Sequence, residues 1–288
     1  MSDRAGSELG RFLRARRALV KPQDVGLPPG AGIRRTPGLR REELATLAGV
    51  SIDYYTRLEQ GKETRPSPAV IDALARTLQL CDDAYDHLVA LATREARHAA
   101  HQPAPRTVRA GVRQLLETLR PYPAYVIGRT NDLLAANPAG LRLMAGIQEW
   151  PAARRNVLRY MFLHPAARCL YADWEGAVRS GVAHLRARAG TDPDDPELVR
   201  LVGELAVKSP EFARLWERYE VGALSDGVKR FRHPEVGDMA LQYEVMSLAR
   251  TNGQRLVAYQ AVPGSPDHDA VVLLDLAASA AEAERATR

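Results

Sequence analysis

Four side chains between positions 52 and 57 have the chemistry needed to recognise the edges of DNA bases. Arg57 matches the paired acceptors of guanine, and Asp53 can accept a hydrogen bond from the amino group of cytosine. Ile52 can contact a thymine methyl group, and Tyr54 can reach a base edge or a phosphate. If Tyr55 and Leu58 of the same helix face the core, these four side chains point outward. We therefore predict that they read bases.

Two short helices joined by a tight turn are predicted for residues 38–62, GLRREELATLAGVSIDYYTRLEQGK. In the first helix, Leu44 and Leu47 are spaced three apart and predict an apolar face. Gly49 follows where the chain must leave the helix, and glycine readily adopts the left-handed conformation that ends helices. This arrangement places one helix in the major groove of DNA.

The second helix is predicted over 52–60, with the hydroxyl of Ser51 as its N-cap. Tyr55 and Leu58 are three apart and are expected to face the core. The alternative is a helical hairpin that only packs against other helices. Charge favours DNA, because residues 1–66 carry 13 Lys and Arg against 8 Asp and Glu, whereas residues 107–288 carry 23 against 22.

The run Glu43–Ser51 and the later Leu58–Lys62 resemble the helix-turn-helix of the Cro/C1-type (Xre) repressor family. The resemblance implies an all-α, lambda-repressor-like bundle of about five helices in the first third of the chain. Their expected ranges are Glu8–Leu19, Arg41–Ala48, Ile52–Gln60, Pro68–Leu78 and Asp82–Arg94.

Phosphate contacts are expected around this motif. A Pro- and Gly-rich connection, 21–40, ends in arginines that could form a phosphate-contacting or minor-groove arm, although Arg34 and Arg35 fit a solvated loop equally well. The family resemblance adds positions at the start of the first motif helix and just past the second. The predicted phosphate contacts are Arg34, Arg35, Arg40, Arg41, Ser51, Thr56, Lys62 and Arg65.

Composition excludes several classes of protein. No window approaches the roughly 18 to 20 apolar residues of a membrane span, and the N-terminus lacks the apolar core of a secretion signal. Cys81 and Cys169 suit a reducing cytoplasm, and the seven histidines show no metal-binding spacing. We therefore expect a cytoplasmic protein with no membrane partner, no metal and no cofactor.

The chain is long enough for two domains. We predict a helix-turn-helix domain over 1–97, a linker over 98–107, a second domain over 108–278 and a tail over 279–288. The second domain is predicted to be α+β, with an antiparallel sheet flanked by helices. Its expected strands are 124–128, 132–136, 228–233, 239–249 and 254–262, and its expected helices are 109–119, 138–144, 156–163, 173–189, 196–208 and 210–219, with 265–278 a helix or a strand.

Nearly the whole chain resembles Xre-type regulators that carry an MmyB-like (MltR-type) ligand-binding domain. The residues that carry this resemblance are RRTPGLRREELATLAGVSIDYYTRLEQGK, then YADWEGAV, SPEFARLW, KRFRHPEVG and VPGSP. The resemblance implies a PAS-like sensor domain with an apolar cavity, for which fatty-acid-like ligands are proposed. Such a regulator would bind palindromic double-stranded DNA as a homodimer.

Cavity-lining residues are chosen from the aromatic, apolar and polar side chains of the second domain, since pockets are lined by these types. For each of them a role in the core or in a turn remains the alternative. The candidates are Arg129, Asn137, Tyr160, Phe162, Trp174, Val178, Trp216, His233, Tyr243 and Tyr259.

Two other functions stay open. An enzyme with a DNA-binding appendage is disfavoured, because the chain lacks a G-x-S-x-G elbow, a P-loop, a dinucleotide fingerprint and an H-E-x-x-H motif; a haem or flavin sensor is its milder variant. The second domain could instead be an interaction module that binds another protein, making the regulator partner-dependent.

Overall fold

A computed structural model describes residues 7–28, 38–63, 65–93, 106–191, 195–222, 226–251 and 253–286 of the chain. These residues form two compact units. The first contains Met1–Ala99, Ala183–Asp194 and Leu215–Ala223, and the second contains Ala100–Val182, Asp195–Arg214 and Leu224–Arg288. The predicted boundaries of domains, linker and tail stay a prediction.

The described residues between 8 and 92 form five α-helices, as predicted. They are α1 (Glu8–Leu19), α2 (Arg41–Leu47), α3 (Ile52–Glu59), α4 (Pro68–Thr77) and α5 (Asp82–Ala92). Serine side chains cap three of them: Ser7, Ser51 and Ser67 each accept a hydrogen bond from a backbone N–H in the first turn. These local signals explain why the starts of the helices could be predicted from sequence.

The core of this bundle is built from the inner faces of its helices. Phe12, Leu44, Tyr55, Leu58 and Leu88 are all fully buried, which confirms the predicted inward direction of Tyr55 and Leu58.

Two details of the bundle differ from the sequence prediction. Leu47 is exposed, because the small residues Ala45 and Ala48 fill the packed side of α2 instead. The connection before α2 also contains a short 3₁₀ helix, Pro22–Val25, which ends at Gly26 with a positive φ.

The rest of the chain is α+β, as predicted. Its helices are α6 (Ala110–Thr118), α7 (Pro138–Leu143), α8 (Val157–Leu163), α9 (Pro165–Leu170), α10 (Trp174–Thr191), α11 (Pro196–Lys208), α12 (Pro210–Glu217) and α13 (Pro266–Ala286), and its strands are β1 (Ala124–Ile127), β2 (Leu133–Ala136), β3 (Asp226–His233), β4 (Gly237–Ser247) and β5 (Arg255–Gln260). Short 3₁₀ helices occur at Ile147–Glu149 and Ala152–Arg154.

The five strands pair antiparallel in the order β2-β1-β5-β4-β3. This matches the five expected strands and the antiparallel sheet flanked by helices that the sequence predicts. The central strand β5 pairs with β1 on one side, where Val257 is opposite Tyr125, and with β4 on the other, where Tyr259 is opposite Tyr243.

The two faces of the sheet have separate roles. Ala124, Val126 and Leu256 pack with Val112 and Leu116 of α6 in one apolar cluster. Because side chains alternate along a strand, the residues between them face the opposite side. That side, which includes Tyr125, Ile127 and Val257, is the one that carries the pocket described below.

Three features of this region were not predicted correctly. The spacing of Val112, Leu115, Leu116 and Leu119 predicts that they share the buried face of the helix over 109–119, but Leu115 is exposed. Helix α9 was not predicted, because it is only six residues long and His164 alone separates it from α8. Helix α13 continues to Ala286, since its end is rich in alanine, the best helix former.

Candidate nucleic-acid interface and ligand pocket

Helix α3 presents two chemically different faces. Tyr55, Leu58 and Glu59 on its inner face are fully buried. On the other side, Ser51, Ile52, Asp53 and Arg57 are exposed, and Tyr54 and Thr56 are partly exposed. All four predicted base-reading side chains therefore lie together on the open face of one helix.

The exposed face includes an apolar side chain as well as polar ones. Ile52 is 45% exposed at the start of α3, where nothing in the fold requires an apolar residue. Arg57 is also open to solvent and lies 3.6 Å from the carboxylate of Glu63. Such a partly exposed ion pair is weak, so Arg57 can exchange Glu63 for another acceptor at low cost.

Tyr54 keeps its proton at neutral pH. Partial burial, together with the nearby charge of Glu63, raises the pKa of Tyr54 against the opposing effect of Arg57. Its hydroxyl can therefore both donate and accept a hydrogen bond.

The orientation of α3 is fixed by a buried carboxylate that the sequence analysis did not single out. Glu59 accepts hydrogen bonds of 2.7 Å from Nε of Arg17 in α1 and 2.7 Å from Nε of Arg41 in α2. Burial alone would raise the pKa of Glu59, but the hydrogen bonds from the two arginines hold it below its usual value. Its position in the Leu58–Lys62 motif was the available signal.

Close backbone contact supports the same junction. A Cβ atom at Gly10 of α1 would lie 2.3 Å from the carbonyl oxygen of Glu59, so only glycine permits this approach. Arg17 also donates a 2.7 Å hydrogen bond to the carbonyl oxygen of Leu39, directly before α2. Helices α1, α2 and α3 are therefore tied together at the base of the exposed face.

The predicted phosphate contacts differ in their surroundings, and Thr56 is partly exposed on α3. Arg40, Lys62 and Arg65 are exposed, and Arg41 is 44% exposed at its side chain while it binds Glu59. The Ser51 hydroxyl is used as the N-cap of α3 and accepts from the backbone N–H of Tyr54 at 3.1 Å. Arg34 and Arg35 lie outside the described residues. None of these contacts is tested without DNA, and they stay predictions.

A second candidate site is a pocket between helices α8 and α10 and the face of the sheet that carries Tyr125, Ile127 and Val257. Strands β1, β3, β4 and β5 form its floor, and α8 and α10 form its wall. Its apolar lining residues include Ile127, Leu158, Met161, Val245 and Val257. The free space is about 50 Å³, much less than the ~300–1,000 Å³ of pockets that hold drug-sized ligands.

Helix α10 contributes small residues to the wall of this pocket. Ala177, Ser180 and Gly181 line the pocket at helical spacing. A Cβ atom at Gly181 would lie 2.7 Å from Cδ2 of Leu158, so glycine allows α8 and α10 to pack closely.

The pocket contains few polar groups, and these groups have different bonding partners. Arg255 donates a 2.9 Å hydrogen bond to Oδ1 of Asn131. Lys229 projects from β3, with its Nζ 4.3 Å from the centre of the Tyr243 ring and 3.5 Å from the Tyr259 hydroxyl. Sequence analysis did not select Lys229, although strand alternation places it on the same face as the buried Phe231.

Of the ten predicted pocket residues, Tyr243 is the one that lines this pocket. Tyr259 lies next to it and hydrogen-bonds to Tyr125, with 3.1 Å between the hydroxyl oxygens. Burial raises the pKa of Tyr125 to about 12 and that of Tyr259 well above its ordinary value. Both hydroxyls therefore stay protonated.

Several of the other predicted pocket residues have structural partners. The Asn137 amide donates to the carbonyls of Leu116 and Tyr122 and accepts from the backbone N–H groups of Ala124 and Gly140, over 2.8 to 3.0 Å. These four bonds use the full hydrogen-bonding capacity of the Asn137 side chain.

Arg129 and His233 are also held within the fold. Arg129 pairs with Asp195 at 2.7 Å, where both side chains are buried. His233 Nε2 donates to the carbonyl oxygen of Arg142 at 3.1 Å, and burial lowers the pKa of His233.

The aromatic candidates pack elsewhere. Tyr160 donates to the carbonyl oxygen of Ala145 at 2.8 Å, and Trp174 Nε1 donates to that of Met161 at 2.9 Å. Phe162 packs edge-to-face against Trp174 and Phe212, Val178 is buried, and the ring of Trp216 stacks on Arg186. A role of these residues in ligand binding stays a prediction.

Two further observations concern the described part of the chain. It contains no group of three or more His, Cys, Asp or Glu side chains placed to hold a metal ion. It also contains no helix that is both long and apolar enough to cross a membrane.

Comparison with known proteins gives two matches. The model of the MmyB-like transcription regulator ligand binding domain matches residues 108–274, which is more than half of the chain. A helix-turn-helix domain model matches residues 8–88, which contain α1 to α4 and the first part of α5. A search of curated proteins finds no match to the chain.

Proposed function

The chain belongs to the family of MmyB-like transcription regulators, and we propose that it binds palindromic operators as a homodimer and responds to a small apolar or fatty-acid-like ligand. The family, together with the helix-turn-helix domain, makes it a DNA-binding transcription regulator with a ligand-binding domain. The proposal includes the palindromic operator, the homodimer and the kind of ligand. It also includes a cytoplasmic location, with association to the nucleoid when the protein is bound to DNA.

The exposed face of α3 carries the proposal for DNA recognition. In a helix-turn-helix, the second helix enters the major groove and its first residues meet the base edges. Ile52, Asp53 and Arg57 occupy that part of α3 and are exposed, whereas Tyr54 is partly exposed and also packs against the core. Arg57 is then suited to guanine, Asp53 to cytosine, and Ile52 to a thymine methyl group.

The surrounding cations would position the helix without reading sequence. Arg40, Lys62 and Arg65 are exposed near the ends of α2 and α3, where they can neutralise phosphates and release counterions. We expect Arg41 to act in the same way through the exposed part of its guanidinium while it still binds Glu59.

The pocket supports a ligand-dependent function. It is mostly apolar, has few polar groups and lies between a sheet and two helices. A ligand there would change DNA binding if its affinity differs between two arrangements of the dimer.

A second candidate is a regulator that depends on a protein partner instead of a small molecule. The free space of only about 50 Å³ favours it, because a long fatty acid would require the pocket to widen. Mass spectrometry of the purified protein under native conditions distinguishes the two candidates. A bound small molecule supports the first, and binding of a protein without any small molecule supports the second.

The assignment of Arg57 can be tested on DNA sites selected from a random library. Arg57→Ala is expected to reduce the preference for the selected base by about 1–3 kcal/mol and to leave weak, salt-sensitive binding. Arg65→Ala is the matched control, since a phosphate contact should weaken binding to all sequences equally and flatten the salt dependence. An equal loss on every sequence in Arg57→Ala would remove Arg57 from the base-reading set.

A further inference from the structure

The pocket on the sheet contains a cation that has no carboxylate partner among the described residues. Lys229 Nζ contacts the Tyr243 ring and the Tyr259 hydroxyl, and no Asp or Glu of the described chain forms an ion pair with it. The side chain is only partly accessible to solvent. A charge withdrawn from water without a counter-ion is unfavourable, and a bound anion would relieve that cost.

The helices packed around Lys229 supply no anion. Asp226, exposed at the start of β3, adds to the effect of burial in raising the pKa of Tyr243, but it forms no ion pair with Lys229 among the described residues. Helices α8 and α10 line the pocket with Val157, Leu158 and Met161 and with small residues, none of which titrates. The strands add tyrosines and Arg255, whose charge has the same sign as that of Lys229. The electrostatic character of the pocket is therefore positive within an apolar wall.

We propose that Lys229 binds the carboxylate of a short-chain apolar monocarboxylic acid, whose hydrocarbon part lies between the sheet and helices α8 and α10. This inference rests on the proposed ligand-dependent function and names the group that holds the ligand. A carboxylate accepts charge-assisted hydrogen bonds from the ammonium group, while the chain displaces water from the apolar wall. The limited free space favours a short chain over a long one.

The ionisation of Lys229 makes the binding sensitive to pH. Desolvation lowers the pKa of Lys229 to about 8. The neighbouring Tyr125, Tyr243 and Tyr259 have raised pKa values, so Lys229 is the pocket group that changes charge between pH 7 and pH 9. A carboxylate prefers the protonated lysine, so its affinity should fall as the pH rises through about 8.

Calorimetric titration of the full-length protein tests the proposal, with sodium hexanoate and hexan-1-ol as matched probes at constant ionic strength. We expect hexanoate to bind about ten- to a hundredfold more tightly than hexanol, the range given by a hydrogen-bonded charge. Hexanoate affinity should also fall about tenfold between pH 7 and pH 9, because only the protonated fraction of Lys229 is competent, and hexanol affinity should not change.

Two variants complete the test. Lys229→Met keeps the length of the side chain and removes its charge, so it should abolish the preference for hexanoate. Lys208→Met is the control, because Lys208 is half-exposed on α11, does not line the pocket, and should leave binding unchanged. If Lys229→Met fails to fold, the comparison of the two probes and the pH series in the wild type still decide the question.

The outcomes separate this inference from the proposed function. Equal binding of hexanoate and hexanol, binding of neither, or hexanoate binding that is unchanged in Lys229→Met overturns the role of Lys229. Sequence-specific DNA binding is measured on its own and can persist in each of those cases. Loss of DNA specificity with intact, Lys229-dependent hexanoate binding would instead overturn the proposed DNA recognition.

Discussion

Replacing Glu59 with glutamine should destabilise the packing of α3 against α1 and α2 and leave the exposed residues of α3 unchanged. The change removes the negative charge that holds Arg17 of α1 and Arg41 of α2 against the end of α3. Glutamine has almost the same shape, so the effect comes from electrostatics and hydrogen bonding and not from a cavity.

The expected magnitude follows from the burial of each partner. Glu59 is fully buried and the Arg17 side chain is 9% exposed, whereas that of Arg41 is 44% exposed and can recover water. Breaking a buried ion pair costs about 3–5 kcal/mol when the remaining charge stays buried. Arg17 keeps its bond to the carbonyl of Leu39, so we expect the lower end of this range, about 3 kcal/mol.

Hydrogen–deuterium exchange of the full-length protein measures this loss locally. A destabilisation of about 3 kcal/mol makes the open state of the bundle about a hundredfold more populated, so amides of α3 should exchange about a hundredfold faster. Glu42→Gln is the control, because Glu42 is exposed and lies 3.5 Å from Arg40, and such pairs contribute less than ~1 kcal/mol. Exchange in Glu59→Gln within about threefold of the control would refute the structural role of this carboxylate.

Two further predictions concern stability of the α+β region. Asn137→Ala should destabilise it by at least ~3 kcal/mol in urea unfolding, because four backbone groups lose their partner at once; a change below ~1 kcal/mol would mean that water replaces the amide. Glu204, bound by Arg159 and Lys208, has a pKa lowered to about 2 from 4.5. Its stabilising contribution is present above pH 4.5 and lost as the pH falls toward 2, so Glu204→Gln should show a smaller loss of stability over that interval; identical acid profiles would contradict this.

The helices and strands could be predicted largely because their signals are local. Ser67-Pro68 and Asp195-Pro196 mark helix starts that the structure confirms, since the cap and the proline act within one turn. The alternation of Leu241 and Tyr243 with Gln242 predicts a strand with one buried face, and in β4 Leu241 and Tyr243 are buried beside exposed Gln242. Where several apolar residues share one turn, spacing alone does not decide which is buried, and for this reason Leu47 and Leu115 were misplaced.

The two candidate sites differ in how far sequence could define them. The predicted base-reading residues lie within six positions of one helix, so helical geometry alone groups them. The pocket combines four strands and two helices that are distant in sequence, and its composition depends on strand order and register. The roles of Lys229 and Glu59 could not be predicted for the same reason. They depend on which groups surround each charged side chain in the folded protein.

The most direct test of the proposed function is selection of binding sites from a random DNA library by the full-length protein, followed by fluorescence anisotropy on the selected and scrambled duplexes at several salt concentrations. We expect a palindromic consensus with half-sites about one helical turn apart. We also expect binding to the selected duplex to be at least about a thousandfold tighter than to the scramble, with a steep salt dependence for both. No consensus, and equal weak binding to both duplexes, would contradict sequence-specific recognition by α3.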